Sequence, residues 1–424
     1  MTEDLKAALA YFTSQSVYSK LFKAFREKFE SYGRLSGAVK IDRYTEDELQ
    51  ELALFIGTTT DTLRKKKTLK ITHFEQALKA TKFGSITLLE LLEAYYKESF
   101  VSKKNKALHQ LDEENLRMNN WRLAYAELAD WFDVVQGRTM DVQWILRLMR
   151  EVDFEQKLTL LQDAIRLLPN EYVRLPFFSQ RVTGNPHTFD LHTVEGKLLL
   201  HVLRVKSGQM ASTLSSTEEV NELLLKHYIL RDDLSNDVSV ANIIGYTNDT
   251  VHPMWQVACE TRSAWNVPLR EVLKVDEVRP AIGKRVYIVE NSGVFSTLLD
   301  AEETVPLVCT HGQFKLAALK VMDMLVIAGA ELYYAGDFDP EGLNMAQRLL
   351  ERYPESCYLW RMDIDSYNAS QPTEDITNRL NKLASIQHPL LLPIADQMKQ
   401  SGRAGYQESL LEKYVADLKG LNKR

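Results

Sequence analysis

Residues 331–342 have the sequence ELYYAGDFDPEG, which joins a short apolar run to a cluster of acidic residues. The run at 331–335 contains a leucine and two tyrosines and is bounded by a glycine, a pattern that predicts a β-strand. Pro340 and Gly342 limit this strand and begin the next helix, since proline is favoured in the first turn of a helix. The stretch therefore predicts a strand followed at once by a helix, with acidic residues at the junction.

Strand and helix signals of the same kind alternate on both sides of this stretch. Alternation at this spacing is typical of βαβ units that build a parallel sheet. We therefore assign residues 281–424 to an α/β domain with a Rossmann-like parallel sheet. The other predicted strands are 285–289, 305–309 and 357–360, and the predicted helices between them are 294–299, 314–328 and 342–352.

Three carboxylates follow the predicted strands, at the edge where open parallel sheets carry their function. Glu290 comes directly after the first strand, and Asp337 and Asp339 come after the third. Positions i and i+2 of an extended segment face the same way, so the two aspartates point to one side while Phe338 turns into the packing. Converging carboxylates repel one another, and Mg²⁺ relieves that repulsion because it prefers hard oxygen ligands. The pattern predicts metal-assisted phosphoryl chemistry rather than an acidic turn.

The chain before residue 281 is largely helical in pattern. Residues 1–170 are predicted to form a helical N-terminal domain, and the aromatic residues of 1–35 follow one helical stripe that we expect to be core. This domain includes a small module at 69–96, where a short strand precedes two helices joined by a glycine turn. Residues 171–280 mix helical and extended signals and are expected to form a separate region before the sheet.

Two basic clusters flank the module at 69–96. Such clusters can grip phosphate, although solvated loop charge is an equally ordinary explanation of each of them. Both explanations stay open from the sequence. The candidate contacts to DNA are Arg64, Lys65, Lys66, Lys67, Lys103 and Lys104.

Composition narrows the class of protein further. The chain of 424 residues has 52 Lys and Arg against 58 Asp and Glu, so it is not a polycation that binds nucleic acid by charge alone. Its three cysteines form neither a metal knuckle nor a disulfide framework, which fits a reducing compartment. Without an apolar run of about 18 residues, no membrane span is predicted. We expect a cytoplasmic protein with no membrane partner, and the resemblance described below implies a bacterial one.

The order strand, Glu, helix, strand, helix, strand, DxDxxG resembles the Toprim domain of primases, topoisomerases and some nucleases, including the variant in topoisomerase VI A subunits. In that family a Glu after the first strand and a DxD after the third bind Mg²⁺. The resemblance implies that Asp337 and Asp339 bind the metal. It also implies that Glu290 acts as a general acid or base, or binds the metal.

Longer stretches resemble one bacterial family, the JetD-type nuclease subunits of Wadjet plasmid-defence systems, in particular the type II branch. The similarity covers essentially the whole length and is densest at 69–96, 174–200 and 284–350. The stretches that carry it are LKITHFEQALKATKFGSITLLELLEAYY, RLPFFSQRVTGNPHTFDLHTVEGKLLL, RDDLSNDVSVANIIGY and YYAGDFDPEGLNMAQRLL.

This resemblance implies an architecture and an activity. It implies an N-terminal arm in residues 1–170, a winged-helix, CAP-like DNA-binding region at 171–280, and a C-terminal Toprim domain at 281–424. The expected activity is Mg²⁺- or Mn²⁺-dependent endonuclease cleavage of closed circular plasmid DNA. The expected assembly is a homodimer that receives double-stranded DNA from a loop-extruding SMC-type complex of three other subunits.

Four further residues are weaker candidates. His311 follows the second predicted strand at the same edge, where it either contacts phosphate, acts as an acid or base, or is an ordinary loop residue. Glu408, in GYQESLLEKY, either approaches the metal site or is a first-turn helix acid. Lys284 precedes the first strand and either touches DNA or solubilises the strand end. Glu341 suits the first turn of its helix, where a carboxylate favours the helix dipole.

Two other functions remain open from the sequence. A topoisomerase-like strand transferase would need a tyrosine nucleophile, and Tyr172, Tyr228 and Tyr246 are available, although none lies in a recognisable motif. A non-catalytic subunit that senses DNA shape or acts as a scaffold would need no acids at the strand ends. The intact acidic set argues against such a subunit, and the resemblance to the JetD-type family implies hydrolysis with water as the nucleophile.

Overall fold

The computed structural model describes residues 2–208 and 216–421. They belong to two compact units, Met1–Phe132 (unit 1) and Asp133–Arg424 (unit 2). Compact packing thus divides the chain near residue 132, whereas the sequence pattern placed the first boundary at 170. The second expected boundary, at 280, falls inside unit 2. The two units are described separately below.

Unit 1 is mainly helical, with one small antiparallel strand pair. Its strands are β1 (Ala38–Lys40) and β2 (Thr68–Lys70). Its helices are α1 (Glu3–Thr13), α2 (Ser16–Tyr32), α3 (Glu46–Ile56), α4 (Thr60–Lys66), α5 (Ile71–Ala80), α6 (Leu88–Tyr96) and α7 (Lys103–Ala124), followed by a short 3-10 turn at Ala126–Leu128.

Aromatic side chains form the core of unit 1. Phe12, Tyr18, Phe22 and Phe25 are all fully buried, and the Phe12 and Tyr18 rings meet edge to face with centroids 4.7 Å apart. This burial confirms that most of the aromatic stripe is core, whereas Tyr32 at its end is 65% exposed. The single helix expected over 1–35 is instead two helices, because α1 ends at Thr13 and α2 begins only at Ser16.

The predicted module at 69–96 is present with shifted bounds. The strand is β2, and α5 already begins at Ile71. The first basic cluster ends α4, where Arg64 pairs with Glu46 and, at 3.0 Å, with Asp61. Lys103 and Lys104 begin α7. Of the four basic residues of this cluster, Arg64 is therefore already paired with acidic neighbours, and the lysines remain the candidates for contact with phosphate.

The chain divides between Phe132 and Asp133, within α8 (Ala129–Gln136). All later elements belong to unit 2. Its helices are α9 (Gln143–Leu148), α10 (Phe154–Arg166), α11 (Leu175–Thr183), α12 (Val194–Lys206), α13 (Thr217–Lys226), α14 (Pro253–Glu260), α15 (Leu269–Val272), α16 (Ser292–Ala301), α17 (Leu316–Ile327), α18 (Pro340–Arg352), α19 (Ile364–Ala369), α20 (Leu392–Ser401) and α21 (Leu411–Leu421). Its strands are β3 (Val173–Arg174), β4 (Ile229–Leu230), β5 (Asp237–Ala241), β6 (Ile243–Thr247), β7 (Thr250–Val251), β8 (Trp265–Pro268), β9 (Glu277–Pro280), β10 (Arg285–Val289), β11 (Leu307–Cys309), β12 (Glu331–Ala335), β13 (Cys357–Leu359), β14 (Glu374–Asp375) and β15 (Arg403–Ala404). Short 3-10 segments lie at Met140–Val142, Thr377–Ser385 and Gln407–Leu410.

A mixed sheet organises unit 2, with the strand order β13-β12-β10-β11-β5-β8 among the described residues. Strands β13, β12, β10 and β11 are parallel, as the βαβ pattern predicts. The expectation of a wholly parallel sheet is wrong, because β5 joins β11 and β8 joins β5 in antiparallel fashion. These two strands come from the region before residue 281, so the sheet crosses the expected boundary at 280.

The centre of the sheet is buried on both faces. In β10, Val286, Ile288 and Val289 are completely inaccessible to solvent. A strand covered on both faces has a continuous apolar run instead of an alternating one, which explains why RVYIV was recognisable in the sequence. No described helix is long and apolar enough to cross a membrane.

The region from 171 to 280 contains more than the sheet strands. Its helices α11 and α12 accompany the two-stranded parallel pair β3–β4, and β6 forms a small antiparallel sheet with β7 and β9. These elements are compatible with a helical DNA-binding region, and the winged-helix assignment stays a prediction.

The central strand gives a stability test. Replacing Ile288 with alanine removes a fully buried side chain, so the free energy of unfolding of unit 2 should fall by about 2–5 kcal/mol. Ile327, at the end of α17, is 84% exposed and is the matched control, with an expected change below about 0.5 kcal/mol. Urea unfolding followed by tryptophan fluorescence measures both. Equal effects of the two substitutions would contradict the placement of β10 in the core.

Candidate functional site

The parallel pairing of β10 and β12 brings the predicted acidic residues to one edge. Val289 lies opposite Ala335, so the residues that follow them, Glu290 and Gly336, leave the sheet side by side. A β-carbon at Gly336 would overlap Oε1 of Glu290. A glycine is therefore needed before the DxD motif so that the carboxylate of Glu290 can lie against the neighbouring strand.

Tyr334 holds Glu290 in this position. Its hydroxyl donates a hydrogen bond to Oε1 of Glu290, and its ring is fully buried. Tyr334 and Gly336 point to the same face of β12, so this contact follows directly from the strand register. The sequence reasoning missed Tyr334, although its position two residues before Gly336 was visible in the quoted stretch.

Asp337 is bound by a segment that is distant in the sequence. The backbone of Phe338 exchanges two hydrogen bonds with Gly405, and the backbone N–H of Gln407 donates to Oδ1 of Asp337 at 2.8 Å. This attachment brings Glu408 to the site, where Oε1 accepts a hydrogen bond from Asn291 at 2.5 Å. The structure therefore places Glu408 beside the acidic residues.

Asp339 has a structural role as well as a position in the site. Its Oδ1 accepts a hydrogen bond from the backbone N–H of Gly342 at 2.7 Å, so Asp339 is the N-cap of α18 and Pro340 fills the first helical position. Nη1 of Arg379 lies 3.4 Å from Oδ2 of Asp339. The cap fixes the direction of the side chain, and Arg379 offsets part of its charge.

Glu341 lies next to Asp339 and is paired with two cations. It pairs with Arg379 at 3.0 Å and with Lys382 at 2.5 Å. The pKa of Glu341 lies below its ordinary value, since these two cations outweigh the cost of its partial burial. It is an ion-paired residue of the first helical turn, in agreement with its assignment from the sequence.

Burial raises the pKa of all three predicted site carboxyls. Desolvation, reinforced by the charges of Asp337 and Asp339, raises the pKa of Glu290 to about 8, and the Tyr334 hydroxyl opposes this rise only in part. Burial likewise raises the pKa of Asp337 to about 6, with Glu408 adding to the effect. The pKa of Asp339 is raised by burial too. Three acids in a poorly solvated place resist ionising together.

The donor chemistry of this site fits a hard divalent cation. The charged side chains that act most strongly on Asp337 are all acidic: Glu408, Asp339 and Glu374. Among residues 2–208 and 216–421, however, no three His, Cys, Asp or Glu side chains form a group that could hold a metal ion. One or two of these carboxylates could still serve a Mg²⁺ ion, which is usually bound by that number together with water and substrate phosphate.

His311 lies at the same edge of the sheet. It follows β11 with φ of 55°, and the N–H of Gly312 next to it donates to the Glu290 carbonyl at 3.1 Å. Its Nε2 lies 2.5 Å from Oγ of Ser239, which in turn donates to Oδ1 of Asn266. Ser239 thus links the exposed His311 ring to Asn266.

The other candidates lie elsewhere. Lys284 precedes β10 and is therefore at the opposite end of that strand from Glu290. Among the described residues, Tyr172, Tyr228 and Tyr246 form no hydrogen bond with the site carboxylates, and the tyrosine that does so is Tyr334. The basic clusters at 64–67 and 103–104 belong to unit 1.

Two family models match parts of the chain. Residues 35–245 match a model described as a protein of unknown function N-terminus (DUF3323), and residues 265–418 match one described as a protein of unknown function C-terminus (DUF2399). No curated protein matches the chain. The two family matches are consistent with the resemblance to JetD-type proteins, and they name no activity.

The raised pKa of Glu290 predicts how stability depends on pH. The value rises from 4.5 to about 8 on folding, so the stability that the neutral carboxyl contributes is complete below about pH 4.5 and is lost as the pH rises through 8. Glu290→Gln keeps an acceptor for Tyr334 and cannot ionise. In EDTA at pH 9 this variant should exceed the wild type in unfolding free energy by on the order of 3 kcal/mol.

The comparison at low pH is the control for that prediction. At pH 4.5 the wild-type carboxyl is neutral, and the two proteins should unfold at nearly the same urea concentration. A difference that does not change between pH 4.5 and pH 9 would show that Glu290 is not desolvated as described.

Proposed function

We propose that this chain is a metal-dependent DNA endonuclease that hydrolyses the phosphodiester backbone. The observation that carries the proposal is the set of three partly buried carboxyls, Glu290, Asp337 and Asp339, at the carboxyl edge of two adjacent parallel strands, each with a raised pKa. A bound cation would relieve the repulsion among these carboxylates, and a phosphodiester would provide the remaining oxygen ligands of the cation.

The protein's own residues define the roles within the site. Asp337 and Asp339 would hold Mg²⁺ or Mn²⁺, which when bound activates water and offsets the charge that develops on the phosphate. Glu290 is placed as a third ligand or as the group that exchanges a proton with the attacking water. Tyr334 orients Glu290, and the helix cap at Asp339 fixes the second aspartate.

We further propose a place for the protein among the JetD-type nuclease subunits of Wadjet systems. The order of strands and acids in unit 2 supports a Toprim domain, and the family matches at 35–245 and 265–418 are compatible with the whole assignment. On this proposal the region 171–280 binds DNA in a CAP-like manner. The protein would act as a homodimer on closed circular DNA delivered by an SMC-type complex.

Cleavage of a supercoiled plasmid tests the proposed activity. With Mg²⁺ or Mn²⁺, the wild type should nick and linearise the plasmid, and Asp337→Asn should reduce the rate by a factor of about a thousand, because a metal ligand contributes several kcal/mol to the barrier. The matched control is Glu341→Gln, which removes a neighbouring charge already paired with Lys382. This control should cut at a rate close to that of the wild type.

The design of this assay separates the competing functions. It is run with and without the SMC-type partners, so that gating by partners becomes visible. If a denaturing gel shows protein covalently attached to the DNA ends, the protein is a strand transferase and not a hydrolase. Equal cutting by Asp337→Asn and the wild type would overturn the assignment of the site. No cutting in any arm, with partners active on DNA, would favour a sensor or scaffold.

Metal binding can be tested without any DNA. A divalent ion that binds the folded state at about a hundred times its dissociation constant adds about 2.7 kcal/mol of stability. For a unit of this size that corresponds to a rise in melting temperature of roughly 5–10 °C. Mn²⁺ should produce this rise in the wild type and in Glu341→Gln, and not in Asp337→Asn. Equal shifts in all three proteins would place the ion elsewhere.

A further inference from the structure

Unit 2 contains a second site of interest, a pocket of about 470 Å³ between α13, α17 and the C-terminal end of α18. Tyr172 and Tyr228 line one side, and Lys226, Lys320 and Arg352 line the rest together with Glu222. Its volume lies within the usual range for small-ligand sites, about 300–1,000 Å³. The lining combines aromatic faces with cations, and none of these residues belongs to the acidic site.

The two tyrosines are held in place by the backbone. Each directly precedes a strand of the parallel pair β3–β4, in which Val173 lies opposite Ile229, and the N–H of Val173 donates to the Tyr228 carbonyl at 2.9 Å. Their ring centroids are 5.4 Å apart. The side chains are 40% and 43% exposed, so each offers part of its ring to a ligand.

Tyr228 occupies a strained backbone conformation. Its φ of 57° is in the left-handed region, directly after the C-terminal residue of α13 and its cap, where glycine is the usual choice. A bulky aromatic residue there costs roughly 1–2 kcal/mol relative to glycine. Within the protein, the Tyr228 ring packs against Tyr172, and 43% of Tyr228 stays exposed. Strain of this kind is typical of functional positions.

The cations of the pocket differ in what they already bind. Arg352 is fully occupied, since it pairs with Asp323 and with Glu222 at 2.8 Å each. Lys226 and Lys320 form no ion pair with any residue in the described part of the chain. Two ammonium groups are therefore available for an anion beside two half-exposed rings.

We propose that this pocket binds a single unpaired nucleotide, whose base stacks on the Tyr172–Tyr228 pair while Lys226 and Lys320 contact its phosphate. Stacking on tyrosine suits any base, and ammonium groups suit a phosphate, so the recognition is of nucleotide chemistry rather than of sequence. The ligand is either a free nucleotide or one nucleotide of a single DNA strand, and the experiment below distinguishes them.

The position of the pocket gives this site a relation to the acidic residues. Helix α18 begins at the Asp339 cap and ends at Arg352, and thirteen helical residues span about 20 Å. At the 3.4 Å rise of duplex DNA, that length corresponds to about six nucleotides, and a more extended single strand would cover it with fewer. If the proposed endonuclease activity is correct, the pocket would hold a nucleotide several positions away from the cleaved phosphate.

Binding without catalysis tests the proposal. Fluorescence anisotropy of a fluorescein-labelled 12-residue single-stranded DNA is measured in EDTA with the full chain, and AMP is added as a competitor. Tyr172→Ala and the double variant Lys226→Ala/Lys320→Ala should each weaken binding about tenfold, in line with the loss of one stacked base or of its phosphate contacts. Tyr172→Phe keeps the ring and should bind like the wild type. An abasic oligonucleotide should bind as weakly as Tyr172→Ala does to normal DNA.

Matched controls come from the same unit. Tyr358 is 44% exposed and stacks on Tyr333 at 5.2 Å, so Tyr358→Ala removes a comparable tyrosine outside the pocket and should leave binding unchanged. Lys197→Ala does the same for an exposed helical lysine. Melting temperatures of all variants show whether a loss reflects unfolding. If a tyrosine variant is unstable, the double variant Lys226→Ala/Lys320→Ala still tests the pocket, because it changes only the charged side chains.

The possible results have distinct meanings. If AMP displaces the oligonucleotide, the pocket binds a free nucleotide. If the variants lose DNA binding but AMP does not compete, the pocket binds one nucleotide of a DNA strand. The proposal is overturned if the pocket variants bind DNA within twofold of the wild type, or if the control variants lose as much DNA affinity as the pocket variants. Asp337→Asn should bind DNA normally here, so failure of the endonuclease proposal would leave this result unaffected.

Discussion

The register between β10 and β12 is the constraint on which the functional edge depends. Because Val289 lies opposite Ala335, Glu290 and Gly336 leave the sheet together, and the missing side chain of the glycine makes room for the glutamate. The same register brings the hydroxyl of Tyr334 to the carboxylate. A shift by one residue would turn these side chains to the other face of the sheet and separate them.

Holding several acids in one poorly solvated place opposes folding, and the surrounding elements offset that cost. Each carboxylate receives a hydrogen bond from a different source: a tyrosine in the same sheet, the backbone of a distant segment, or the first turn of α18. Such bonds fix direction but do not neutralise charge, as the raised pKa of Glu290 and Asp337 shows. The arrangement is typical of a site whose geometry is set before a cation arrives.

Local pattern was sufficient for part of this structure and insufficient for the rest. The strands 285–289 and 331–335 and the position of the acids after them followed from apolar runs and from the rule for parallel sheets. The joining of β5 and β8 to the sheet could not be predicted, because antiparallel pairing between distant segments leaves no periodic signal. The same reason hid the attachment of residues 405–408 to the DxD motif, which decides the position of Glu408.

The two aspartates of the motif are not equivalent, and their surroundings indicate which one depends more on a cation. Asp339 caps α18 and has Arg379 within 3.4 Å, so part of its charge is already offset by the protein. Asp337 accepts a hydrogen bond from the backbone N–H of Gln407, and the charged side chains that act most strongly on it are acidic. A divalent ion would therefore lower the energy of the folded state most through Asp337. The asymmetry arises from one cap and one arginine. On the proposed function, Asp337 would be the carboxylate that gains most from a bound cation, and Asp339 would keep the direction that its cap gives it.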